Sequence, residues 1–173
     1  MKELLHLMAR YNLATDEQLF ELLGNLSSED LAKDTGGYFG SLMGLLNHIL
    51  VADLGWFTAY KNSDVSLPVL ESPALDYKNP GWAKPLHEDF AALRNHQIQM
   101  DQLFVSLIEQ TDESVLEADI TLTRSNGRQT TATFGKLLMH LLNHHTHHRG
   151  AISQVLDAWG IENDYSNLTK LFL

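Results

Sequence analysis

The sequence predicts an all-α fold, a four-helix bundle with one small β-hairpin before the last long helix. Four segments carry apolar residues at the three- and four-residue spacing of a helix that buries one face. One pair of short segments has strand character and surrounds an Asn-Gly turn. A chain of 173 residues with 44% hydrophobic content can fill one core, so residues 1–173 are expected to form a single domain.

The first two long helices are predicted over residues 2–24 and 38–61. A Gly-Asn pair ends the leucine pattern of the first helix. Ser27 or Ser28 is placed to cap a short turn, and Gly36-Gly37 interrupts the chain before the second helix. The apolar side of the second helix is formed by Leu42, Leu45, Leu46, Ile49, Trp56 and Phe57.

The third long helix is predicted to follow an irregular connection. Residues 62–84 contain Pro68, Pro73 and Pro80, and a loop of this length often carries function. Pro85 suits the first position of a helix that continues to about Gln110.

The hairpin and the last helix complete the predicted fold. Residues 120–123 and 130–133 are rich in threonine and flank the turn sequence SNGR. Thr133 is predicted to cap the last helix, and Gly160 is predicted to end it. The partly apolar tail, residues 161–173, is expected to pack back on the bundle.

Composition excludes several classes of function. The net charge of −10 disfavours nucleic acid and anionic membranes as partners. The N-terminus lacks the apolar region of a signal peptide, and no apolar run approaches a membrane span, so a cytoplasmic location is expected. The chain has no cysteine, which excludes disulfides, thiolate metal sites and a thiol nucleophile of its own.

Five of the nine histidines fall within residues 139–149, in the sequence MHLLNHHTHHR. The surrounding leucines at helical spacing exclude a tag-like tract, which leaves a metal site or a solvated polar face. At about 100° per residue, the buried stripe of this helix centres on Leu137, Leu141 and His148, and His144 lies one turn from His148. Such a pair suits a divalent metal, and the alternative is a hydrogen-bonded pair of neutral core imidazoles.

Two histidines make a weak site, so a third ligand is expected from a facing helix. His48 is the candidate, since the tetrapeptide LLNH of residues 45–48 recurs at residues 141–144. It lies on the flank of its helix's apolar stripe, where it could face a cleft, and the alternative is an exposed histidine. The sequence therefore favours His48, His144 and His148 as metal ligands.

The other histidines of the tract are predicted to be bystanders. His140, His145 and His147 are assigned to the surface or to hydrogen bonds with the ligands. Because the side chain of His145 points about 100° away from that of His144, His145→Ala is predicted to be nearly silent in metal binding.

Asp53 lies near the centre of the apolar stripe of the second helix. It is a candidate general base or hydrogen-bond partner of a ligand, and the alternative is a buried salt bridge with Arg149 or Arg94. Three aromatic residues could line a substrate pocket or belong to the core: Trp56, Phe57 and Trp82.

Four stretches of the chain resemble the DinB/YfiT-like family, the DNA-damage-inducible bundles that are distinct from the DNA polymerase of the same name. They are LLNHILVADLGWF, HEDFAALRNHQIQMDQLF, SNGR and the most specific, LLNHHTHHRGAISQVL. The resemblance covers essentially the whole chain. It implies a four-helix bundle that binds Zn or Ni through one histidine of the second helix and an H-x-x-x-H pair of the last, which match His48, His144 and His148. Ala151 stands where the family often has Gln.

Characterised relatives include transferases that use bacillithiol, mycothiol or glutathione, and a maleylpyruvate isomerase. The resemblance therefore implies one divalent metal ion per chain, a low-molecular-weight thiol as co-substrate, and a homodimer. Three histidine ligands leave an open position on a zinc-like ion, as in catalytic sites. The alternatives are a metal-dependent hydrolase and a metal-containing stress-response or binding module without turnover.

Overall fold

The computed structural model describes residues 1–78, 84–123 and 127–171, and it confirms the predicted bundle and hairpin. The long helices are α1 (Lys2–Leu23), α3 (Leu42–Lys61), α4 (Phe90–Gln110) and α6 (Phe134–Ala158). Between them lie two short helices, α2 (Ser28–Ala32) and α5 (Glu113–Glu117), and the antiparallel strands β1 (Asp119–Thr123) and β2 (Gln129–Thr133).

The long helices form a ring in which α1 packs on α4, α4 on α3, α3 on α6 and α6 on α1. α3 and α4 run parallel, since Asp53 meets Gln97 and, further along both helices, Phe57 meets Phe104. A connection between parallel neighbours must return along the bundle, which explains the long segment between them. Two 3-10 turns, each with proline in its first turn, lie in it at Pro68–Glu71 and Pro73–Leu75.

The core lies between all four long helices. Leu50, Leu93 and Leu138 are fully buried, one each from α3, α4 and α6. Truncating one of them to alanine would cost about 2–5 kcal/mol, because the lost apolar contacts leave a cavity. This core is the rigid support on which the histidine-bearing faces of α3 and α6 meet.

The apolar character of α3 comes from its central position. By length and composition α3 could span a membrane. Its most apolar stretch has a mean hydropathy of 1.3, and 61% of that stretch is buried inside the bundle. The expectation that no apolar run reaches that length was wrong, and the burial is typical of a core helix in a soluble domain.

α2 and α3 begin at serine caps. Ser27 Oγ accepts a hydrogen bond from Asp30 N, as predicted for a cap at this position. α3 begins at Leu42 and not at residue 38, because Gly40 has a φ of 76° and Ser41 Oγ accepts from Gly44 N. A cap of this kind stabilises a helix by about 1 kcal/mol.

α4 begins at Phe90, five residues later than predicted. Asp89 provides its cap, accepting a hydrogen bond from Ala92 N at 2.8 Å. The preceding segment is held by Asn47 of α3, whose Oδ1 accepts hydrogen bonds from Leu86 N and His87 N. This tertiary contact keeps the segment after Pro85 out of the helix.

The hairpin confirms the predicted strands, with Ile120 paired to Ala132, and its turn residues 124–126 lie outside the described residues. Thr133 is the residue before α6, but its side chain makes no capping hydrogen bond. α6 ends before Gly160, which has a φ of 71°. From the tail, Tyr165 packs against the core.

Candidate metal centre

The local structure around His48 is fixed by its neighbour Asn47. The Asn47 amide donates to Met43 O and to His87 O, both at 2.9 Å, while its oxygen accepts from the segment before α4. α3 is therefore tied to the α4 entrance directly beside His48. The His48 side chain itself is half-buried and faces α6.

His48, His144 and His148 come together between α3 and α6. His48 Nε2 lies 3.2 Å from His144 Nε2, and His148 Nε2 lies 3.0 Å from His144 Nε2. Each of the three rings offers a nitrogen within 4.8 Å of the other two, a spacing that could hold a metal ion. The structure thus brings together the three residues that the sequence favoured as ligands.

The nitrogen spacing fits a common metal ion. Metal–nitrogen bonds of about 2.05 Å place two ligand nitrogens about 3.3 Å apart at a tetrahedral angle and about 2.9 Å apart at a right angle. Hydrogen bonds alone cannot satisfy all three rings of this histidine cluster, His48, His144 and His148. His144 Nε2 faces two nitrogens, but it has either one proton or one lone pair and so can form one hydrogen bond. A cation accepts a lone pair from all three. His144 Nδ1 is buried without a partner among the described residues, unlike the second nitrogen of most histidine ligands.

All three rings favour the neutral form that binds metals. Burial, reinforced by the imidazole of His148, lowers the pKa of His144 to about 3. Burial and the neighbouring His48 lower the pKa of His148 to about 4. The pKa of His48 is also lowered by burial. At neutral pH the cluster therefore carries lone pairs and no positive charge.

A phenylalanine closes one side of the cluster. The Phe39 ring stacks on His48 with centroids 4.2 Å apart, and it meets His148 edge-on at 5.5 Å. The loop that carries it is closed by a hydrogen bond from Thr35 N to Gly40 O at 2.7 Å. The residue before Phe39, Tyr38, is 97% exposed. The histidines thus have an aromatic wall beside them.

The other histidines of α6 have three different environments. His140 is exposed and its ring lies 5.0 Å from that of Trp56, and His147 is exposed beside His148. His145 is buried with 1% of its surface exposed, so the first of its two predicted placements, at the surface, was wrong. A single buried stripe does not describe α6, because this helix packs on both α1 and α3 and so buries a wider arc of its surface.

Asp53 is buried, and its partner differs from the predicted arginines. Its Oδ1 lies 2.8 Å from His145 Nε2, whereas Arg149 pairs with Asp16 and Arg94 is exposed. Burial disfavours the charged imidazole, but Asp53 and Asp16 outweigh it and raise the pKa of His145 to about 10. Asp53 therefore lies in a buried salt bridge, but its partner is His145 and neither of the two predicted arginines.

The candidate pocket aromatics separate into core and surface. Phe57 is 1% exposed and packs edge-on against Phe104, so it belongs to the core. Trp56 is partly buried and lies between Tyr60 and His140. Trp82 lies outside the described residues.

The sequence model of the DinB family matches residues 1–170. The chain belongs to the DinB family. It is 24% identical to Protein DinB of Bacillus subtilis (strain 168) over 146 residues, which is 84% of this chain and 80% of the relative. This match confirms the family that the histidine motifs indicated. The matched residues include the α3 and α6 segments that meet at the histidine cluster.

Proposed function

We propose that this DinB-family protein binds one Zn or Ni ion through His48, His144 and His148 and transfers a low-molecular-weight thiol to an electrophilic substrate. The observation that carries the proposal is the convergence of three neutral imidazole nitrogens from two helices. Three nitrogen ligands leave positions open for a reactant, as in catalytic zinc sites.

The roles in this proposal divide between the ion and the chain. When bound, a divalent ion would supply Lewis acidity that lowers the pKa of a thiol or water in an open position. The histidines hold it without adding charge, so the site keeps its full attraction for an anionic reactant. Since the chain has no cysteine, the sulfur comes from a co-substrate. That thiol gives its proton to solvent, its sulfur forms a new S–C bond, and the leaving group departs with the bonding electrons.

The aromatic wall indicates the kind of electrophile. Phe39 covers one face of His48 and contacts His148, so a molecule beside these rings also meets an apolar surface. Tyr38 extends that surface toward solvent. An apolar or aromatic electrophile would be stabilised there by stacking and by loss of contact with water.

The test is a conjugation screen on untagged, metal-loaded protein with bacillithiol, mycothiol, glutathione and an aryl halide electrophile. We expect thiol-dependent turnover that EDTA abolishes and that His144→Ala loses. His147→Ala serves as the matched control, because that histidine is exposed on the same helix and lies outside the cluster. Ester hydrolysis without added thiol would replace the transferase with a hydrolase. Metal binding without turnover on a broad panel would leave a binding or stress-response module.

A further inference from the structure

A buried polar network lies beneath the histidine cluster and draws a member from every long helix. Its residues are each 5% exposed or less: Asn12, Asp16, Asp53, Gln97, Asp101, His145 and Arg149. Two cations, on α6, face two carboxylates, on α1 and α3. Burial and the nearby Asp16 raise the pKa of Asp101 well above its ordinary range, which favours the uncharged form of this third carboxyl.

Part of this network has the spacing of a metal site but not the chemistry. Asp16, Asp101 and His145 offer ligand atoms within 4.8 Å of one another. Both ring nitrogens of His145 already face carboxylates, Asp53 at 2.8 Å and Asp16 at 3.4 Å. A ring that donates from both nitrogens has no lone pair for a metal, and the guanidinium of Arg149 sits on Asp16 as well.

The pair of Asp53 and His145 joins the two helices that carry the histidine cluster. Asp53 follows His48 by five residues of α3, about 7.5 Å along the axis, and His145 directly follows His144 on α6. A second bond between these helices, from Tyr60 Oη to Leu137 O, lies about 18 Å from His48 along the axis. The ion pair is therefore close enough to set the local separation and register of α3 and α6.

We propose that Asp53 and His145 are positioning residues, which hold α3 against α6 so that His48 meets His144 and His148. His145 Nε2 and Asp53 Oδ1 lie 2.8 Å apart and both residues are buried, so a displacement of either helix would leave a buried polar atom without its hydrogen-bond partner. Gln97 Nε2 donates to Asp53 Oδ2 at 2.7 Å and fixes the carboxylate from α4. The inference rests on the metal-binding half of the proposed function and on no part of the thiol reaction.

Two substitutions break the pair without touching a ligand. Asp53 accepts from His145 and from Gln97 on two different oxygens, so in Asp53→Asn the amide NH2 group replaces one of these oxygens and faces a donor. His145→Leu leaves two buried carboxylates without that partner. His145→Gln keeps one donor toward Asp53 and serves as the conservative variant should the leucine variant fail to fold. All three are compared by Zn²⁺ affinity and by the visible spectrum of bound Co²⁺.

The controls separate positioning from general loss of stability. Tyr60→Phe removes an α3–α6 hydrogen bond far from the cluster, and Asp101→Asn alters the network where it joins α1 to α4. We expect Zn²⁺ affinity to fall about 10-fold or more in Asp53→Asn and His145→Leu, with an altered Co²⁺ spectrum, and to stay within about 3-fold in the controls. His145→Gln should retain more affinity than His145→Leu, and the double variant Asp53→Asn/His145→Leu should bind no worse than the weaker single variant.

Three other outcomes would each contradict either the positioning role of Asp53 and His145 or the proposed function. Unchanged Zn²⁺ affinity and Co²⁺ spectrum in folded Asp53→Asn and His145→Gln would reduce the pair to a structural role and leave the metal site intact. Equal losses in the controls would also overturn positioning, because metal affinity would then follow stability. Failure of the unaltered protein to bind metal would overturn the proposed function, and this inference with it.

Discussion

Replacing His144 by alanine removes the ring that lies between the other two members of the cluster, 3.2 Å from His48 and 3.0 Å from His148. Four-ligand zinc sites in small domains bind with about 10–16 kcal/mol, so one ligand contributes about 3 kcal/mol. Metal affinity is therefore expected to fall about 100-fold or more. The free energy of unfolding of the metal-free variant should stay within about 1 kcal/mol of wild type, because the ring is only partly buried and forms no ion pair.

Competition with a chromophoric chelator measures the affinity, and urea unfolding in EDTA measures the stability. His147→Ala is the control and should change affinity less than about 3-fold, since its side chain is exposed. His48→Ala should match His144→Ala, although the two residues are on different helices. Full affinity in His48→Ala together with loss in His140→Ala or His147→Ala would refute the cross-helix site.

Four further predictions concern pH, the aromatic residue Phe39 beside the histidines, and assembly. Because the pKa is about 3 for His144 and about 4 for His148, Zn²⁺ affinity at pH 5.5 should stay within about 10-fold of its value at pH 7.5, whereas ordinary histidines would lose about 10-fold each. The metal-free protein should lose stability as pH falls from about 6.5 through 4, since the unfolded chain binds protons first; urea titrations that show no such loss would contradict the lowered pKa values. Phe39→Ala should raise the KM for an aryl electrophile about 5-fold with unchanged metal affinity. An unchanged KM would show that Phe39 does not contact the substrate. Light scattering at micromolar concentration should give twice the chain mass of 19.5 kDa, and a monomer mass would rule out the expected homodimer.

Local sequence patterns were sufficient for the long helices, the hairpin and the pair of His144 and His148. Helical periodicity found the four long helices because each buries an apolar face, and the Asn-Gly turn identified the hairpin. The spacing of His144 and His148 placed both rings on one face of α6, and the repeated LLNH sequence indicated His48. The helices, the hairpin and the α6 histidine pair depend on neighbours within one or two turns, which a sequence displays directly, whereas the approach of His48 to that pair is a contact between helices.

The polar network depends on contacts between helices, and most of these contacts were not predicted from the sequence. Asp53 was recognised because it interrupts an apolar stripe, but Asp16 and Asp101 interrupt theirs in the same way. Three carboxyls at buried positions require cations or protons, and that requirement could have drawn attention to His145 and Arg149. Which cation meets which carboxylate follows from the order of helices around the ring, which periodicity does not contain.

His145 shows the consequence for function. The side chain of His145 points away from that of His144, as the helix geometry predicts. The same geometry directs it toward Asp53 and Asp16. The prediction that His145→Ala is nearly silent in metal binding rested on the angle between these two histidine side chains alone. The burial of His145 between α6, α3 and α1 gives the opposite expectation, a loss through displaced helices.

The most direct measurement of the central claim is the metal content of the untagged protein. Elemental analysis after gel filtration, with EDTA-treated protein retitrated by Zn²⁺ and Ni²⁺, counts the ions per chain. The three-histidine site predicts about one transition-metal ion per chain, and its X-ray absorption should show only nitrogen and oxygen ligands. Protein that contains no metal as purified and takes up none on titration would contradict it.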